Sequence, residues 1–209
     1  MKILLTGFGP FPGVPVNPAE QVVRRLAERA RQSGRIQLVT ETLPVEYAAA
    51  TRKLRRRIRE ERPGAILCLG VAPTRTRLSL ERVALNLDDD PQRDNAGVVR
   101  RGRKIAPGGP AAYWSTLPLD ALQRALQRRR ISASLSNHAG AFLCNHAFYV
   151  ARQETSRSRR RIPCGFLHVP PMSERGKSHK RGMPLGRMVT AVACCLDVLE
   201  KTARRKNRN

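Results

Sequence analysis

The chain has 209 residues, 41% of them hydrophobic, and a formal net charge of +24; that length suffices for one core, burying roughly 70% of the unfolded surface, without a second domain. No apolar run approaches the roughly 18 residues a spanning helix requires, which excludes an integral helical membrane protein. Aromatic residues make up only 4%, too few for a base-stacking platform, so the arginine clusters read as solvated faces with nonspecific anion affinity and no specific nucleic-acid site.

Lys2 to Thr6 reads as a first strand, because the apolar run after the lysine is too short for a secretory leader. Asn17 then caps a helix with Pro18 at its first position, and Val22, Val23, Leu26, Ala27 and Ala30 form an apolar stripe that Gly34 ends. Ile36 to Thr40 is a strand, Glu46 to Arg62 a very basic helix closed by Pro63-Gly64, and Ala65 to Leu69 a buried strand. Arg77 to Leu87 alternates with period two, and its phase breaks near Glu81. Residues 88 to 110 are expected to be mostly loop or a short hairpin. Asp120 to Arg130 is helical, Ile131 to Leu135 a strand, Cys144 to Arg152 a helix, Gly165 to Val169 a strand, and Gly186 to Ala203 a last helix. Strands separated by helices imply an α/β fold, a single-domain three-layer α/β/α sandwich with a mostly parallel central sheet. It covers residues 1–203 and leaves 204–209 as a basic tail.

Five cysteines, an odd count with no paired spacing of the zinc or redox type, indicate a reducing, cytoplasmic setting. Cys68, in an apolar strand, is inert packing. Cys144 differs, because the small, polar approach Ser136-Asn137-His138-Ala139-Gly140 leads to a helix start. There the dipole and free backbone N–H groups favour a thiolate and an oxyanion. The competing reading is a buried structural cysteine. Of four histidines, His146 lies about 200° around the helix from Cys144 and should face away; His138 is a possible neighbour of the site, and His179 sits in a basic loop. His168, at the carboxyl end of a strand where ligands gather in open α/β sheets, is the favoured base. Glu81 is a charge in an apolar strand, and it either orients the imidazole or pairs with an arginine.

The stretches Thr6-Gly7-Phe8-Gly9-Pro10-Phe11, Val16-Asn17-Pro18, Ser79 to Asn86, Asp94-Asn95 with Gly97, Ser136-Asn137 through His146, and Phe166-Leu167-His168-Val169-Pro170 together resemble the pyroglutamyl peptidase I family. The likeness implies a cofactor-free, metal-free cysteine exopeptidase that removes N-terminal pyroglutamyl residues from peptides through a thioacyl intermediate. Glu81, Cys144 and His168 would form its triad, Phe8, Phe11, Asn17, Phe142 and Leu143 would line the substrate slot, and homotetramers would be expected. Ordinary packing for the apolar four and helix capping for Asn17 are the competing readings. Where the family commonly has Asp-Ala-Arg-Ile-Pro-Asp-Asn, this chain reads Asp89-Asp90-Pro91-Gln92-Arg93-Asp94-Asn95, and Val71 and His138 also depart. Two further functions therefore stand beside the first: the same hydrolase chemistry on another N-terminal residue or amide, with Gln92, Arg93 and His138 making the slot more polar, or a catalytically weak relative that binds polyanions.

Overall fold

The computed structural model describes residues 1–33, 36–173 and 182–206. Its elements are β1 (Lys2–Phe8), α1 (Pro18–Ser33), β2 (Gln37–Leu43), α2 (Tyr47–Glu61), β3 (Ala65–Val71), β4 (Leu78–Glu81), β5 (Val83–Leu85), β6 (Asp88–Asp90), β7 (Arg100–Arg103), β8 (Ala112–Trp114), α3 (Leu119–Arg128), β9 (Ala133–Ser136), α4 (Leu143–Ser156), β10 (Cys164–Val169) and α5 (Leu185–Lys206). Gly34, the 175–181 basic segment with His179, and residues 207–209 lie outside the described residues. The last helix runs to Lys206, so it enters the segment expected to be a tail.

Six strands form the central sheet in the order β2-β1-β3-β10-β4-β9. The first four are mutually parallel, β4 is antiparallel to β10, and β9 is parallel to β4. All seven residues of β3 are buried. That is why its sequence, Ala-Ile-Leu-Cys-Leu-Gly-Val, is apolar throughout and does not alternate. Helices α1, α3 and α5 cover one face through Val22, Leu26, Leu122, Leu126, Val192 and Leu196. Helices α2 and α4 cover the other through Leu54, Ile58, Phe148 and Ala151, which completes three layers.

The phase break near Glu81 has a topological cause. Before it, β4 belongs to the central sheet; after Arg82, β5 leaves to pair antiparallel with β8. Within 88–110 the expected hairpin forms as β6 against β7. The short β8 has no counterpart among the expected strands, since three residues show too little periodicity.

Helix α2 buries Tyr47, Ala50, Leu54 and Ile58, at successive spacings that keep one face inward. Its cations meet carboxylates on neighbouring elements, Lys53 and Arg57 on Glu41 at 2.7 and 3.0 Å, and Arg55 on Glu154 at 3.1 Å. Much of this helix's positive charge is therefore paired locally at a partly solvated surface.

Candidate active site

The register of three adjacent strands sets the site. His168 on β10 pairs with Gly70 on β3 and, on the other side, with Ser79 on β4; Phe166 pairs with Glu81. Residues two apart share a face, so Glu81 is the diagonal neighbour of His168 on the side covered by α4. The contact is direct, with His168 Nδ1 2.7 Å from Glu81 Oε1. Glu81 is fully buried and His168 is 4% exposed.

Cys144 reaches this row from the first turn of α4. Its Sγ sits over Gly70, where an added Cβ would stand 2.6 Å from the sulfur and 2.8 Å from the Phe166 ring. Only glycine leaves room. Since Gly70 and His168 are register partners on strands about 4.8 Å apart, sulfur and imidazole share one wall. Phe142, the N-cap of α4, supplies no side-chain cap. The first-turn N–H groups, that of Cys144 included, have no partner within a helix, which suits them to receive an oxyanion. Gly140, at φ +80, makes the turn that brings the chain to this helix.

A cavity of about 370 Å³ opens beside the sulfur, and its walls include Cys144, His168, Phe8, Phe11, Asn17, Phe142 and Leu143. Every residue expected in the slot lies there. Asn17 also keeps its capping role, because Oδ1 accepts from Ala19 N at 3.0 Å while Nδ2 donates to Gly9 O at 2.9 Å. Asp90, Gln92 and His138 add polar groups to the wall. Arg93 does not join them: its Nη1 donates to Gly97 O at 3.0 Å, within its own loop.

The family model described as pyroglutamyl peptidase matches residues 1–202. The chain belongs to the pyroglutamyl peptidase family. It is 40% identical over 201 residues to the pyrrolidone-carboxylate peptidase of Gloeobacter violaceus, an alignment covering 95% of this chain and 97% of that one. The crystal structure of pyroglutamyl peptidase I from Bacillus amyloliquefaciens superposes with a TM-score of 0.88 at 36% identity, covering 95% of this chain and 94% of that one. The pyrrolidone carboxyl peptidase of Pyrococcus furiosus superposes at 0.90 with 32% identity, over 97% and 99% of the two chains. Like these cysteine-type peptidases, the chain is an enzyme of the omega-peptidase class.

In this family member, Arg75 is a site residue the sequence reading missed. Its Nη1 donates to Glu81 Oε1 at 2.5 Å and its Nη2 to the His138 carbonyl at 3.4 Å, and the residue also lines the cavity. The available signal was a cation, the first of Arg75 and Arg77, just beyond the carboxyl end of β3. Glu81 thus satisfies both competing readings, being paired with an arginine and bonded to the imidazole. Arg82, the arginine next to Glu81 in the chain, is exposed and donates instead to Asn137 Oδ1 at 3.3 Å.

The remaining motif residues of this peptidase fold fasten the cavity's rim. Asn145 is fully buried, accepting from Leu85 N and donating to the Leu85 and Leu87 carbonyls. His146 faces away from Cys144, with Nδ1 2.9 Å from Asp88 Oδ2 and Nε2 2.6 Å from Thr51 Oγ1. Asp94 accepts from Tyr47 N at the start of α2 and from Ala96 N and Val98 N. These contacts hold the 88–98 loop, which carries Asp90 and Gln92, against α2 and α4.

Burial raises the Cys144 thiol to about 12; the Glu81 carboxylate adds to this and Arg75 opposes it. The expected low thiol pKa at a helix start is therefore outweighed by burial. Burial also drives His168 below its ordinary value, against the raising effect of Glu81. For Glu81 burial acts upward, but hydrogen bonds from His168 and Ser136, with the Arg75 charge, bring it below the usual carboxylate range. The resting arrangement is a neutral thiol, a neutral imidazole and a carboxylate.

No helix among the described residues is long and apolar enough to cross a membrane.

Proposed function

We propose that the chain removes N-terminal pyroglutamyl residues from peptides. Cys144 Sγ attacks the pyroglutamyl carbonyl as His168 Nε2 takes the thiol proton. The proton passes to the departing amine as the C–N bond breaks, leaving a thioacyl enzyme. Water, deprotonated by the same imidazole, hydrolyses the thioester, and free pyroglutamate and the thiol are released. Glu81 holds the Nδ1–H and so presents the Nε2 lone pair to the sulfur. The backbone N–H of Cys144 and its first-turn neighbours would stabilise the tetrahedral oxyanion.

The observation that carries this reading is the 2.7 Å bond between His168 and buried Glu81 in the same wall as the Cys144 sulfur. A neutral lactam ring suits the slot, since Phe8, Phe11, Phe142 and Leu143 offer apolar surface and Asn17 a polar edge. Hydrolysis of a fluorogenic pyroglutamyl amide tests the reading directly. Cys144→Ala should abolish turnover, and His168→Gln should lower it by about 10²–10⁴-fold; a folded Cys144→Ala protein with unchanged turnover ends the assignment.

A second reading has its own observation, the placement of Asp90 and Gln92 in the cavity wall. A carboxylate there would suit a ring bearing a protonated nitrogen, so the same triad would act on another N-terminal residue. Comparing pyroglutamyl, prolyl and acyclic free-amine amides on one preparation separates the two. Turnover confined to the pyroglutamyl amide rejects the second reading.

A further inference from the structure

The amino end of β10 faces a different cavity, of about 610 Å³. Cys164, which starts that strand, is four residues from His168, or about 13 Å along it. The cavity is built from the last turns of α4, the 158–163 segment and the 115–117 connection after β8. Its walls hold Arg152, Arg160 and Arg161, together with serine and threonine residues, and no aspartate or glutamate among the described residues.

Arg152 makes this more than a basic surface. It is 8% exposed, and the partners of its guanidinium are neutral: Nε donates to the Trp114 carbonyl at 2.7 Å, Nη1 to Thr155 Oγ1 at 2.5 Å, and the Tyr113 ring lies 5.7 Å away. No carboxylate lies within ion-pair distance among the described residues. The contrast with other inward arginines is sharp, since Arg55, Arg57, Arg75 and Arg100 each meet one at 3.1 Å or less. Charges are rarely buried unless paired. Among the described residues no carboxylate pairs with Arg152, and an open cavity lies beside it.

The hydroxyls play a smaller part. Thr116 Oγ1 and Ser156 Oγ already donate to backbone carbonyls, so recognition falls to the guanidinium groups. Three guanidinium groups around one space suit a tetrahedral dianion with several acceptor oxygens better than a single carboxylate.

We propose that this second cavity binds a phosphate-class oxyanion, free or as the monoester of a small molecule, with Arg152 at its base and Arg160 and Arg161 at its mouth. Titration calorimetry of the full-length protein with inorganic phosphate and with a nucleoside monophosphate, at about 0.15 M ionic strength, tests it. One saturable site is expected. Arg160→Ala/Arg161→Ala should weaken binding about tenfold or more and leave turnover of the pyroglutamyl amide unchanged. Arg152→Gln should abolish binding, and the surface pair covers the case in which that buried variant does not fold. Arg52→Ala/Arg56→Ala, on the exposed face of α2, should leave affinity within about twofold, as expected for a site apart from diffuse charge. Tighter binding of the monoester would assign the attached group to the cavity, and equal affinity would assign free phosphate. Heats that never saturate, or an equal loss in the α2 control pair, would overturn the proposal.

Discussion

The neutral thiol and neutral imidazole at Cys144 and His168 make two experiments informative at the scale of single residues. Burial holds the thiol near 12, so it is protonated at neutral pH and loses its proton only as the pH climbs far above the ordinary thiol range. Alkylation of Cys144 by iodoacetamide should therefore still be accelerating between about pH 8 and 10, where an unperturbed thiol levels off. A plateau reached near neutrality would mean a preformed thiolate. The imidazole has the opposite displacement: its folded pKa is lowered, so it stays an effective base until the pH falls below the usual histidine value. The acid limb of kcat/KM should lie below about pH 6.5. Arg75 holds Glu81, and its charge lowers both the Cys144 and the His168 pKa, so it helps keep His168 deprotonated. Arg75→Gln should move the acid limb upward and lower kcat/KM about tenfold, the smaller end of what a hydrogen bond to a charged group is worth, because Arg75 is partly exposed. Arg75→Lys should restore much of the profile. An unshifted limb in Arg75→Gln would assign the arginine a purely structural role.

At the scale of elements, the site depends on how closely α4 approaches β3, and Gly70 is where that approach is tightest. Gly70→Ala would place a methyl group 2.6 Å from the sulfur and 2.8 Å from Phe166, so that one of them must move. Circular dichroism should report a folded protein, with turnover lost by at least about 10²-fold, as expected when a reacting atom shifts by roughly 1 Å. Activity near that of the parent would show that α4 has slack at this point. The contact is invisible in sequence, because a glycine near a strand end reads equally well as a turn. Much else was legible. The Asn17-Pro18 start, the uninterrupted apolar run of β3 and the phase break at Glu81 each reflect a local rule, and each corresponds to a real boundary. Glu81, Cys144 and His168 stood out as a charge in an apolar strand, a thiol at a helix start and an imidazole at a strand end. The low thiol pKa expected from the helix start was not found, because burial depends on what packs above the residue. Arg75 and Arg93 failed for a related reason: side-chain direction in loops is set by long-range contacts, here with Glu81 for one and with the Gly97 carbonyl for the other.

At the scale of the whole molecule, a formal charge of +24 must produce a positive field, and the question is whether the field has a specific partner. Much of α2's share is paired with Glu41, Glu60, Glu61 and Glu154, while Arg157 and Arg159 are exposed near the far end of the sheet. Charge spread in this way binds polyanions by releasing counterions, a term that depends on salt and ignores sequence. Association with single-stranded RNA should therefore be measurable at low salt, fall steeply with salt concentration and vanish by about 0.2 M. Replacing one cluster, for example Arg157→Ala/Arg159→Ala, should reduce the slope of log K against log salt by about 1 to 2 and leave weaker binding in place. Binding that persists above that salt concentration and disappears with a single cluster would instead require a dedicated nucleic-acid surface, and would revive the reading of this chain as a polyanion-binding relative of the peptidases.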